Sequence, residues 1–206
     1  MTLVKICGVN DAAVFDAAVD AGADFVGFVF FRRSPRYVTP AKAAALSARR
    51  AGGPRRVGLF VEPSDDEIGA ALAEIALDAL QLYTSAGRAA AVRTRFDLPV
   101  WRAVGVATHA DLPFEAGADR LLIEAKPPAD ATRPGGNAVA LDWSVLNRWT
   151  APVPWLLAGG LTPANVGAAI RATGAPGVDV SSGVERSPGV KDPALIRAFA
   201  AAARAA

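Results

Sequence analysis

The chain has 206 residues, 52% of them hydrophobic and 20% charged, enough for one large core and too few for two ordinary domains. Cys7 and His109 are the sole residues of their types, which excludes an internal disulfide and a Cys-rich zinc site and leaves any Ser-His-Asp triad dependent on His109. The 22 basic residues are scattered and nearly balanced by 20 acidic ones, so nothing forms a nucleic-acid stripe; no apolar run reaches the roughly 20 residues of a membrane helix and no leader pattern opens the chain, so a reducing cytoplasm is expected.

In chain order, the first strand-like apolar run is Leu3 to Ile6, followed by a helix with Asn10 as its N-cap and Gly22 at its end. The second, Phe25 to Phe30, enters a Pro- and Arg-rich segment, Phe31 to Thr39, before Thr39-Pro40 opens a helix as N-cap and N1 proline. Val57 to Val61, Ala79 to Leu82 and Val100 to Val104 follow, with helical patterns between them. Gly117 is predicted to close the helix before Leu121 to Ile123, after which comes a second long segment, Lys126 to Leu141. Trp155 to Leu157 leads through Thr162-Pro163 to a helix ended by Gly174, and Val178 to Val180 is the last run. Leu195, Ile196 and Phe199 then give an apolar stripe to an Ala-rich helix.

Eight strands separated by βα-unit lengths predict an α/β fold, a (β/α)8 TIM barrel forming one domain over residues 1–206. An open doubly wound sheet is the alternative, but it usually shows a Gly-rich turn after its first strand, where this chain has only Gly8. Ala21-Gly22-Ala23-Asp24 recurs as Ala116-Gly117-Ala118-Asp119 four units on, a possible trace of half-barrel duplication. The two long segments both follow the C-terminal end of a strand, the face on which barrels build their sites.

Strand parity places Lys5 and Cys7, Gln81 and Tyr83, Arg102, Glu124 and Asp179 inside the predicted barrel. Such an interior sets two cations against two acids, with Lys5–Asp179 and Arg102–Glu124 as structural pairings, since buried charge is costly unless paired. Cys7 and Glu124 are the last interior residues of their strands and open on the catalytic face. A buried cysteine is ordinarily a small hydrophobe, but a lysine two residues away on the same face favours a thiolate. Gly159-Gly160 after the seventh strand and Ser181-Ser182-Gly183 after the eighth stand where barrels bind phosphate through backbone N–H groups.

Together, Lys5-Ile6-Cys7-Gly8, Gly27-Phe28-Val29-Phe30 with Ser34-Pro35-Arg36-Tyr37, Val57-Gly58-Leu59-Phe60-Val61, Gln81-Leu82, Gly135-Gly136, Asp142-Trp143, Ala158-Gly159-Gly160-Leu161, and Val178-Asp179-Val180-Ser181-Ser182-Gly183-Val184-Glu185 with Pro188-Gly189 and Lys191-Asp192 resemble phosphoribosylanthranilate isomerase of tryptophan biosynthesis. The similarity spans essentially the whole chain. It implies a cofactor-free, metal-free Amadori rearrangement of a phosphosugar-anthranilate substrate by a monomer or homodimer. Cys7 maps to the general base and Glu124 to the general acid. Arg36 maps to the residue holding the anthranilate carboxylate, with Lys5, Gln81 and Asp179 also on the substrate and Gly159, Gly160, Ser181, Ser182 and Gly183 around the phosphate. Three departures from the family pattern stand out: Glu124 replaces the usual aspartate, Tyr83-Thr84 replaces His-Gly, and Asn137-Ala138-Val139-Ala140 lacks a glycine and a basic residue. Rival readings are a non-catalytic, regulatory phosphate-ligand barrel, or another phosphosugar barrel. Indole-glycerol-phosphate synthase should carry more catalytic lysines than four, and a pentulose-phosphate epimerase needs metal-binding histidines.

Overall fold

A computed structural model of the chain describes residues 1–128, 135 and 140–206. Eight parallel strands, β1 (Leu3–Cys7), β2 (Phe25–Val29), β3 (Arg55–Val61), β4 (Ala79–Tyr83), β5 (Val100–Val106), β6 (Arg120–Ala125), β7 (Trp155–Leu157) and β8 (Gly177–Val180), close in sequence order into a barrel. Closure comes from β1 pairing with β8, Lys5 opposite Asp179, and it rules out the open sheet. The outer layer holds α1 (Ala12–Asp20), α2 (Pro40–Ser47), α3 (Asp65–Glu74), α4 (Ala86–Phe96), α5 (Val166–Thr173) and α6 (Pro193–Arg204). The crossovers after β5 and β6 carry short 3-10 turns at His109–Asp111 and Trp143–Leu146. After β8 an antiparallel hairpin, β9 (Glu185–Ser187) and β10 (Val190–Lys191), precedes α6.

Local chemistry explains most element boundaries and corrects several expectations. Asp11, not Asn10, caps α1 by accepting from the Val14 N–H at 2.9 Å, while the Asn10 amide donates to the Gly189 carbonyl at 2.8 Å. Thr39 and Pro40 start α2 as expected, whereas Thr162-Pro163 makes a turn and α5 begins only at Val166. Gly22 and Gly174 take positive φ after α1 and α5. Gly117 also does, at +62°, but it ends no α-helix; its Cα lies against Ala86, whose carbonyl oxygen a Cβ would meet at 2.4 Å.

The repeated Ala-Gly-Ala-Asp segment has a structural use. Asp24 and Asp119 each accept from the first residues of the preceding strand, Val4 N–H at 2.8 Å and Val100 N–H at 2.9 Å, and each donates its own N–H back to the same residue. Asp78 does the same with Arg56 at 2.7 Å. A lock used at three strand starts reflects the local geometry of the barrel floor, where strand-entry N–H groups need partners.

Inside the barrel, Phe25, Val57, Ala79, Trp101, Leu122 and Leu156 fill the lower layer, with the Arg120 guanidinium 5.1 Å over the Trp101 ring. Above them the interior turns polar, with Lys5, Gln81, Glu124 and Asp179 all buried. Arg102 is not among them. Trp101 and Ala103 take the interior positions of β5, so Arg102 points to the helix layer and donates to the Ala116 and Glu115 carbonyls at 2.7 and 3.1 Å. Glu124 therefore has no arginine to neutralise it from β5.

Candidate active site

At the C-terminal ends of the strands a cleft of about 780 Å³, counted out to its mouth, is lined by Cys7, Arg36, Gln81, Tyr83, Glu124 and Asp179 among others. Both long segments reach it: Phe31, Ser34 and Arg36 from the first, Gly135 from the second. Gly136, Asn137, Ala138 and Val139 lie outside the described residues, and Ala140 packs against Gly160, whose Cβ would sit 2.5 Å from the Ala140 Cα. His109 lies on the surface with Nδ1 3.0 Å from the Val145 carbonyl and is not part of the cleft lining, which removes the triad reading.

Beneath the cleft Lys5 is fully buried, and its Nζ donates to Asp179 Oδ1 at 2.8 Å. Burial works against the ammonium, but Asp179 and the neighbouring thiol outweigh it, so Lys5 stays charged with its pKa raised. Cys7 shares this niche with the Lys5 Nζ: a Cβ on Gly27 would meet the Cys7 Sγ at 2.8 Å and the Lys5 Nζ at 3.2 Å, so both need the glycine at that position. The thiol nonetheless departs from the expectation of a resting thiolate. Burial pushes its pKa up by more than Lys5 pulls it down, and Asp179, which already engages the ammonium, adds repulsion.

Glu124 is 5% exposed and its Oε1 has no hydrogen-bond partner among the described residues. Burial raises its pKa to about 8; the Tyr83 hydroxyl and Lys5 pull it down, and Asp179 pushes it further up. At neutral pH this carboxyl holds its proton, the state a general acid needs. Gln81 is also buried against the cleft, and neither amide atom finds a partner among the described residues, a cost that a polar ligand group would relieve.

Around the mouth, Gly159 and Gly160 adopt φ of +81° and +65°, conformations that side chains disfavour. The Asn165 side chain pins their loop by accepting from the Thr162 N–H at 2.7 Å and donating to the Gly160 carbonyl at 3.0 Å. Gly183 is packed so closely on the same loop that a Cβ would lie 1.8 Å from the Leu161 carbonyl oxygen. Gly159, Gly160, Ser181, Ser182 and Gly183 are thus brought together as one wall of the cleft.

Sequence reasoning gave Arg36 a role but missed its support. Glu185, at the start of the hairpin, accepts from Arg36 Nε at 2.6 Å and Nη2 at 2.8 Å, and from the buried Lys191 Nζ at 3.0 Å. Lys191 also donates to the Ser181 carbonyl at 2.9 Å, which ties the β8 loop to the arginine. Burial alone would raise the Glu185 pKa, but Arg36 and Lys191 bring it below the ordinary range; burial lowers Lys191 despite Glu185. The only hint in the sequence was a Glu and a Lys flanking a Pro188-Gly189 turn.

A closed barrel with a thiol and a protonated carboxyl facing one cleft at its strand ends is the architecture of a (β/α)8-barrel enzyme. Residues 4–202 match the N-(5'-phosphoribosyl)anthranilate (PRA) isomerase family, and the chain belongs to it. It is 58% identical over 207 residues to N-(5'-phosphoribosyl)anthranilate isomerase of Acidiphilium cryptum, with 100% of both chains covered. Among solved structures it resembles phosphoribosyl anthranilate isomerase from Thermotoga maritima, at 32% identity and a TM-score of 0.84 over 100% of both chains. A second such structure, in complex with reduced 1-(o-carboxyphenylamino)-1-deoxyribulose 5-phosphate, superposes with a TM-score of 0.81 at 31% identity and the same full coverage.

Proposed function

We propose that the chain isomerises N-(5'-phosphoribosyl)anthranilate to 1-(o-carboxyphenylamino)-1-deoxyribulose 5-phosphate, a step of tryptophan biosynthesis, with Glu124 as general acid and Cys7 as general base. Glu124 protonates the furanose ring oxygen; the C1–O bond breaks and the anilino nitrogen lone pair closes a cationic Schiff base. Cys7, as thiolate, then removes the C2 proton, and the electron pair neutralises the iminium to give an enolamine. Loss of the enol proton and protonation at C1 yield the ketone, so the product is an isomer of the substrate and no external oxidant or cofactor enters.

One observation carries this reading: the only cysteine and a carboxyl that keeps its proton at neutral pH face the same cleft, beside a glycine-rich wall suited to a phosphate. Arg36 is assigned to the anthranilate carboxylate, Glu185 holding two of its donors and fixing the plane of the fork. Gln81 and Asp179 are assigned to substrate hydroxyls, and Lys5 to keeping positive potential near Cys7. Gly159, Gly160, Ser181, Ser182 and Gly183 are assigned to the phosphate. We take the barrel as one domain over residues 1–206 acting in the cytoplasm. Incubating the purified chain with the substrate should produce an exponential loss of anthranilate fluorescence; a trace no faster than the uncatalysed decay would refute the assignment and favour a ligand-binding barrel.

A further inference from the structure

Tyr83 has a place in this site that the reaction scheme leaves unexplained. It ends β4, whereas Glu124 is on β6, and β5 lies between them. On the intervening strand the interior positions at this height are Ala103 and Gly105, too small to separate the two side chains. The Tyr83 hydroxyl and Glu124 Oε1 converge on one point above the barrel: a Cβ at Gly135 would lie 2.1 Å from the Tyr83 Oη and 2.9 Å from Glu124 Oε1. Gly135 therefore covers the pair with backbone only.

The other ionisable groups acting on Glu124 come from separate strands. Lys5 belongs to β1 and Asp179 to β8, and Lys5 already donates to Asp179 at 2.8 Å. On its own strand end Lys126 is exposed and faces Asp111 at 3.9 Å. Tyr83 brings the neutral hydroxyl nearest this carboxyl, and burial keeps that hydroxyl far from ionising.

We infer that Tyr83 is a positioning residue for the general acid: its hydroxyl donates to the Glu124 carboxyl, holds this long side chain in the conformation that delivers its proton to the substrate ring oxygen, and steadies the carboxylate left behind. The inference rests on Glu124 being the acid. A glutamate has one more rotatable bond than an aspartate, so it reaches about 1.5 Å further and needs an external contact to stay aligned. Misalignment on that scale is enough to slow a proton transfer severely.

The test is a double-mutant cycle with Tyr83→Phe, which removes only the hydroxyl, and Glu124→Asp, which withdraws the carboxyl from it. Tyr83→Phe should lower kcat about tenfold with KM and product-analogue affinity within about twofold. In the Glu124→Asp background the same change should alter kcat less than about twofold. The Glu124 titration, followed by infrared carboxyl bands against Glu124→Gln, should move up from about 8 by roughly half a pH unit or more in Tyr83→Phe, since a donor favouring the carboxylate has gone. An equal tenfold loss in both backgrounds, or an unmoved titration, would overturn the inference while leaving Glu124 as the acid. Near wild-type turnover by Glu124→Gln would instead remove the acid assignment itself, and this inference with it.

Discussion

Replacing Glu124 with Gln separates what the carboxyl does for chemistry from what it does to the fold. Its pKa stands at about 8 in the folded barrel against 4.5 ordinarily. Between those values the folded state holds a proton that the unfolded chain has released, so stability falls as pH rises through this window and levels off above it. At about 1.4 kcal/mol per pH unit the full displacement corresponds to a ceiling of about 5 kcal/mol, and relaxation of a buried site brings the expected value to roughly 2–3 kcal/mol. Glutamine carries no such penalty. Thermal unfolding of both proteins from pH 5 to 9 should show the variant gaining on the wild type across the window, by a Tm difference of about 4–10 °C at its upper end. Carboxylates with depressed pKa values, such as Asp111 and Asp142, are ionised in both states above pH 5 and add no pH dependence across this window. The same variant should lose turnover, because an amide has no proton for the ring oxygen, whereas Glu124→Asp keeps a measurable fraction. A stability difference constant from pH 5 to 9 would refute the claim that burial raises this carboxyl.

Three further outcomes are expected. Cys7→Ser replaces the base with a hydroxyl that stays protonated, so kcat should fall at least about a hundredfold with little change in affinity for a product analogue, as measured by steady-state kinetics and titration. Lys5→Met strands Asp179 as an uncompensated charge among buried residues; chemical denaturation should show a loss of about 3–5 kcal/mol, and a loss below about 1 kcal/mol would mean the pair is solvated. Crystals grown in sulfate should hold the anion between the loops after β7 and β8, against the backbone of Gly159, Gly160, Ser182 and Gly183, and an anion found only on surface arginines would contradict the cradle.

The barrel was legible because eight short, mostly apolar runs recur along the chain, spaced as βα units. Its upper interior was legible too, since a lysine, a glutamate and an aspartate inside apolar strands have nowhere else to matter. Parity failed at Arg102 because alternation separates two faces without saying which is inside. On β5 the lower interior wants an aromatic, Trp101, to meet Phe25 edge-on at 4.8 Å, and the arginine is consequently turned out to backbone carbonyls. Helix capping misled by one residue at Asn10, where adjacent Asp11 takes the cap and the distant Gly189 carbonyl engages Asn10. It misled by three at Thr162, where the Asn165 side chain bonds back to the Thr162 N–H and the Gly160 carbonyl and α5 starts only after it. The Arg36–Glu185 pair joins residues 149 apart, and the Tyr83–Glu124 approach crosses an intervening strand through barrel shear. Neither has a local signature in one sequence.

On the assignment proposed above, with Glu124 as acid and Cys7 as base, the resting charges of the site also set the order of events. With Cys7 pushed up by burial and Glu124 at about 8, both hold their protons at neutral pH, so the enzyme waits with its acid armed and its base unready. Ring opening resolves this. Once Glu124 has given up its proton, the substrate carries a cationic nitrogen close to the carbon that must be deprotonated, and positive charge beside a thiol favours the thiolate. Lys5 cannot do this alone, because Asp179 takes up much of its field at 2.8 Å. The acid step thus creates the electrostatic condition for the base step, and a barrel interior with paired, nearly neutral charges gives the transient cation its largest leverage, since few compensating charges are left to screen it.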